Sequence, residues 1–214
     1  MKLFQTCSAR SGALLLALSA AMLSTACAPL VLGGAMMGGA FVATDRRTSG
    51  TQVEDEGIEF KASARIREQL GEKGHVNVNA YNRMVLLTGE VASEADRARI
   101  EKIAAGVENV RNVLNETAVL GNSSLSSRAS DVTLASKIKL SLVDARDLIS
   151  NAFYVVVERG TVYMMGRVSE REANRAVEIA RGVSGVQKVV RAFEIISEEE
   201  LARLTPKRVE PQSK

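Results

Sequence analysis

Cys27 is the residue with the clearest chemistry. It follows Leu23-Ser24-Thr25-Ala26 and closes an apolar run, Ala13 to Leu23, headed by Lys2 and Arg10. A positive start, an apolar segment too short to span a bilayer and small residues before a thiol form an export signal. The thiol can take a diacylglycerol and the amine freed by cleavage an N-acyl chain, so Cys27 is the candidate lipidation residue. Ser24 stands where a lipobox usually has leucine, and Ser24 with Ala26 also fits ordinary secretory cleavage; the alternative is a soluble exported protein. Cys7 would leave with the signal. Cys27 would then have no disulfide partner in an oxidising compartment, and acylation leaves no free thiol.

A second constellation lies at 131–146. On a helical wheel, Leu134, Ile138, Leu142 and Ala145 form one apolar stripe. Val132, Leu140 and Val143 form another on the opposite side, beside Thr133 and Ser136. Lys139 and Arg146 border it on one edge and Lys137 on the other. A helix that only covers a sheet needs one stripe. The second, framed by cations, suits the boundary of an anionic membrane. Val132, Thr133, Ser136, Lys137, Lys139, Leu140 and Val143 are therefore the candidate lipid-binding residues. The alternative is that Val132, Leu140 and Val143 pack against the preceding domain. The earlier helix of that domain carries Lys61, Arg65, Arg67 and Glu68 outside, with Phe60 and Ala64 as apolar exceptions.

Catalysis and metal binding have little to stand on. His75 is the only histidine, beside a glycine-containing turn, and is expected to be solvated. No Cys-x-x-Cys or histidine cluster supplies metal spacing. Glu54-Asp55-Glu56 and Glu198-Glu199-Glu200 read as solvated helix starts, and the isolated Gly89 and Gly166 make no phosphate-cradling loop. No catalytic residue, metal or cofactor is expected, beyond the covalent acyl chains on Cys27.

The elements that must position these groups repeat. Residues 28–43 are apolar with glycine at 33, 34, 38 and 39. They read as a spacer near the lipid surface, or as a small-residue strip against a membrane partner. Asp45-Arg46-Arg47 starts the water-exposed part. Ile58, Ala62, Ile66 and Leu70 then mark a helix. Val76 and Val78 mark a strand, Asn82-Arg83 a turn, and Val85 and Leu87 a second strand. Ser93 with Asp96 opens a helix that Gly106 stops, and 110–118 is the closing strand. The second copy has the same order: Val155 and Val157, the turn Arg159-Gly160, the strand 162–168, a helix from Ser169 with Glu172 to Gly182, and the strand 186–196. Tyr163, Met164 and Met165 alternate along their strand and are expected in core and at surface in turn. The fold class is α+β, two tandem domains of helix-strand-strand-helix-strand, each a three-stranded mixed sheet with both helices on one face. The boundaries are a signal at 1–26, a lipidated start and spacer at 27–50, domains at 51–119 and 130–197, a linker at 120–129 and a polar tail at 198–214.

The repeats resemble the BON domain. Leu87-Thr88-Gly89-Glu90-Val91 and 105–110 carry the resemblance in the first copy, and Met164-Met165-Gly166-Arg167-Val168 and 181–186 in the second. Two such domains behind a lipobox are similar to the dual-BON outer-membrane lipoproteins. The resemblance implies a periplasm-facing, lipid-anchored protein that binds anionic phospholipid through its second BON domain and supports outer-membrane integrity. Ala28, where inner-membrane lipoproteins often carry aspartate, fits that address. The competing class is an adaptor for an outer-membrane assembly or cell-wall remodelling machine, supported by the same stripe plus Phe153 and Tyr154. A hydrolase lacks a nucleophile–base set. Net charge is +3, and about +1 once Lys2 and Arg10 are removed, which argues against nucleic acid as a partner.

Overall fold

The computed structural model describes residues 45–71 and 73–204; Cys27, the export segment and the spacer 28–43 lie outside them, as do residues 205–214. The first half is α1 (Ser49–Leu70), β1 (His75–Tyr81), β2 (Met84–Val91), α2 (Glu94–Ala105), β3 (Asn112–Asn115) and β4 (Ala118–Val119). The second is α3 (Leu125–Asp144), a 3-10 turn at Ser150–Ala152, β5 (Tyr154–Glu158), β6 (Thr161–Val168), α4 (Glu170–Gly182), β7 (Lys188–Ile195) and a short α5 (Glu198–Leu204). The α+β class and the paired mixed sheets follow the sequence expectation. β1 and β2 are antiparallel, as are β5 and β6; β3 and β7 add in parallel to β2 and β6.

Local chemistry sets these elements. The turns Asn82-Arg83 and Arg159-Gly160 hold both residues at positive φ (49° and 67°, 51° and 72°), the two-residue geometry that matches strand twist. Ser93 accepts from the Asp96 N–H at the start of α2, and Ser169 and Glu172 complete a capping box at α4. Gly89 sits where an added Cβ would lie 2.0 Å from the His75 carbonyl oxygen, and Gly166 where it would lie 2.3 Å from that of Ala152. Only glycine permits those backbone approaches, which accounts for its recurrence in the repeat.

Three expectations about the elements change. The closing strand 110–118 is broken into β3 and β4, both paired with β2. Asn115 causes the break: its Oδ1 accepts from the N–H and hydroxyl of Thr117, and its Nδ2 donates to the Arg97 carbonyl. The helix read at 131–146 runs instead from Leu125 to Asp144, opening on Ser124 inside the segment read as linker, with Ala145 as its C-cap. Tyr163, Met164 and Met165 are all buried, so this strand has no surface face.

The last change reveals the architecture. One face of each sheet carries its two helices over a core, Ile58, Ala62, Ile66, Leu87 and Ile100 in the first half, Leu134, Ile138, Met164 and Ala176 in the second. The other faces meet each other. Tyr81 and Leu86 pack there with Tyr163, Met165 and Ala192. Polar pairs rim the contact: Tyr154 Oη donates to Asn79 Oδ1 (3.1 Å), Asn77 Nδ2 to Glu158 Oε2 (2.9 Å) and Asn82 to Glu194.

Arg46 adds a clamp that the sequence reading put in the exposed spacer. It is buried, and its guanidinium donates to both oxygens of Glu172 (2.8 Å each) and to the Arg167 carbonyl (2.8 Å). The segment before the first half is thus fastened to the second. Asp55 is likewise buried rather than solvated. Its carboxylate accepts from Asn82 N–H, Arg83 N–H and Arg47, all at 2.8 Å. Asp131 does the same for Arg159 and Gly160 in the second half (2.8 and 2.9 Å). Each first helix pins its own hairpin turn through one aspartate, a repeat feature that lies 27–29 residues away in sequence.

Candidate functional site

α3 is held from one side. Asp131 fixes it to the β5–β6 turn, and Leu134, Ile138 and Leu142 enter the core. The side facing away bears Leu125, Val132, Leu140 and Val143, each between 62 % and 82 % exposed. Ala129 and Ser136 complete the row at steps of three and four residues, so the stripe runs the length of the helix. Leu125 lies in the segment expected as linker, where the sequence pattern predicts no helix face. The packing of Val132, Leu140 and Val143 on the first domain, one of the two readings of this stripe, does not occur: the domains meet through their sheets.

The polar members of this side are largely satisfied by the helix. Thr133 Oγ1 donates to the Ala129 carbonyl (3.0 Å) and Ser136 Oγ to that of Val132 (2.9 Å). Hydroxyls that bond back to i−4 carbonyls need less from water, which lowers the cost of taking that face out of it. Lys137 and Lys139 are exposed at its edges. α1 shows Val53 and Phe60 at its surface, but Lys61, Arg65, Arg67 and Glu68 interrupt them.

Phe153 and Tyr154, read as surface for a partner, are occupied. Phe153 is buried edge-on against Phe193, ring centroids 6.1 Å apart, and Tyr154 packs at the sheet–sheet contact. His75 is not freely solvated either. It opens β1 with its Nδ1 3.9 Å from Glu90 Oε2. Burial and the Arg128 cation lower its pKa against the pull of Glu90. Burial and Glu90 raise the pKa of Glu158 nearby, against the hydrogen bond from Asn77. The fold thus gathers His75, Glu90 and Glu158, from 75, 90 and 158 in sequence, where spacing gave no metal set.

No helix among the described residues is long and apolar enough to cross a membrane. Residues 55–121 and 130–197 each match the family described as BON domain. The chain is 36 % identical over 182 residues to "Outer membrane lipoprotein DolP" of Haemophilus influenzae, covering 84 % of this chain and 93 % of that one. It is 31 % identical to a "21 kDa hemolysin" of Actinobacillus pleuropneumoniae, over 71 % of this chain and 79 % of that one. To "Osmotically-inducible protein Y" of Escherichia coli it is 32 % identical, over 65 % and 72 %. Two repeats with one topology, matched one by one and together, make this chain a member of the BON-domain family, a dual-BON outer-membrane lipoprotein related to DolP.

Proposed function

We propose that the protein, anchored by acyl chains on Cys27, engages anionic phospholipid through the outer face of α3 in its second BON domain and so supports outer-membrane integrity, without catalysis. The observation that carries this reading is the row Leu125, Val132, Leu140 and Val143, exposed along a helix whose other side is fully used by the core. An unpartnered apolar row with lysines at its edges suits insertion at the headgroup boundary, with ammonium groups beside phosphates. The anchor would hold this weak face close to lipid and raise its effective concentration there.

Cys27→Ser is expected to leave both domains folded and to release the protein from the membrane, checked by fractionation and circular dichroism. That soluble variant allows vesicle sedimentation to measure the face alone. Adding Lys137→Ala and Lys139→Ala should remove about 2 kcal/mol of attraction to anionic vesicles at low salt, roughly a 30-fold loss. Unchanged binding would sink the electrostatic part of the proposal. No preference for anionic over zwitterionic vesicles in the parent would instead favour a protein adaptor using the same row.

A further inference from the structure

β1, β2 and β5 each bring one ligand-bearing residue to the end of the sheet–sheet contact. Alternation along β2 puts Glu90 on the same face as Met84 and Leu86, which look into the other domain, and β5 likewise turns Glu158 inward with Tyr154 and Val156. His75, at the start of β1, completes the group. One ligand atom from each residue lies within 4.8 Å of the other two. Glu90 has no exposed surface and Glu158 is buried. His75 Nδ1 is buried and has no hydrogen-bond partner.

We propose that His75, Glu90 and Glu158 form a divalent-cation site of the zinc class that ties the first BON domain to the second. An imidazole nitrogen and two carboxylates are a ligand set that Zn²⁺ accepts, with water completing a tetrahedron. Bonds of about 2.0–2.2 Å put tetrahedral ligands roughly 3.3–3.6 Å apart, so the present spacing needs to close by only about 1 Å. Nδ1 makes no hydrogen bond, and with the ring proton on Nε2 its lone pair is free for a metal. Outer contacts orient the carboxylates: Asn77 Nδ2 donates to Glu158 Oε2 (2.9 Å), Arg159 Nη1 to Glu90 Oε1 (3.0 Å) and Ser123 Oγ, more weakly, to Glu90 Oε2 (3.3 Å). Arg128 holds Ser123 in turn, through Nε at 3.0 Å. The guanidinium groups of Arg128 and Arg159 are the repulsive elements. Glu90, Glu158 and Asp131 supply three carboxylates against those two cations, and Asp131 is already committed to the Arg159-Gly160 turn. A cation between Glu90 and Glu158 therefore joins carboxylates that face one another across the domain boundary.

The test uses the full chain, untagged, with its thiols alkylated and stripped of metal by chelator, titrated with Zn²⁺ and followed by calorimetry. His75 is the only histidine, so its imidazole resonances report its own ligation without assignment. One saturable site is expected, shifting those resonances and raising Tm. His75→Ala and Glu158→Gln should each weaken binding by about 100-fold or more. Glu158→Gln keeps a group that accepts from Asn77, and melting curves of the metal-free variants separate lost ligation from lost folding. Mg²⁺ at the same concentrations should leave the resonances unmoved, since it favours oxygen ligands. Zn²⁺ binding that leaves His75 unshifted, or survives in Glu158→Gln, would overturn the site, as would no binding at about 100 µM Zn²⁺.

Discussion

Arg46→Ala is expected to destabilise the protein by about 3–5 kcal/mol, because it strands the Glu172 carboxylate in a site from which water is excluded. The two side chains are 2 % and 5 % exposed, and the pair is bidentate at 2.8 Å. At this chain length a loss of that size lowers Tm by roughly 10 °C, measurable by calorimetry. Glu172 also accepts from the Ser169 N–H at the N-terminus of α4, so the stranded charge would disturb a capping box. The pH dependence identifies the cause. Burial acts to raise the Glu172 pKa, and the hydrogen bonds from Arg46 and Ser169 outweigh it, leaving the group below its ordinary value of 4.5. A carboxyl depressed in the folded state contributes stability that is present above its unfolded pKa and lost as pH falls through the folded one. Without Arg46 the sign reverses: burial then raises the group, and stability is lost as pH rises. The gap between wild type and variant should narrow in acid, as pH falls below 4.5, and be largest near neutrality. An equal gap at both would mean that Arg46 acts through packing. Replacing both partners with methionine should recover most of the loss, less the cap, since no buried charge then remains.

That clamp was invisible in sequence for a reason that applies to other features. Short-range periodicity and turn chemistry placed Asn82-Arg83, Arg159-Gly160, Ser93 and Ser169, because these depend on neighbours within a few residues. Core stripes such as Ile58-Ala62-Ile66-Leu70 were legible because one helix face must be apolar. Arg46, Asp55 and Glu90 are charged residues whose burial is compensated by partners elsewhere in the chain; Arg46 and Asp55, each flanked by charges, read as solvated until those partners are placed. Tyr163, Met164 and Met165 point to two different apolar environments, a domain core and a domain–domain contact. Alternation reports that successive side chains diverge; it does not report that both destinations are dry. The outer row of α3 was legible as a second stripe, but its freedom from the first domain followed only from finding where the sheets meet. His75 needed the same knowledge, since its partners come from β2 and β5.

The triple variant Val132→Ser, Leu140→Ser, Val143→Ser should separate membrane binding from folding more cleanly than any core change. These side chains are already mostly in water, so removing them costs the folded state little, within about 0.5 kcal/mol for each substitution, which thermal melting checks. On a membrane they would leave water. Full burial of such a side chain is worth about 1.5–3 kcal/mol; insertion to about half that extent, over three residues, gives about 3 kcal/mol. The unacylated protein should therefore partition into anionic vesicles roughly 100-fold less well. The salt response distinguishes this from the lysine changes. Raising ionic strength weakens the contribution of Lys137 and Lys139 by screening, whereas the apolar part persists. Wild type should thus retain residual binding at high salt that the triple variant lacks, while the lysine variant should approach wild type there. If the triple variant binds vesicles as wild type does at both salt concentrations, the outer face of α3 is not what touches lipid, and the row must instead be explained by a protein partner.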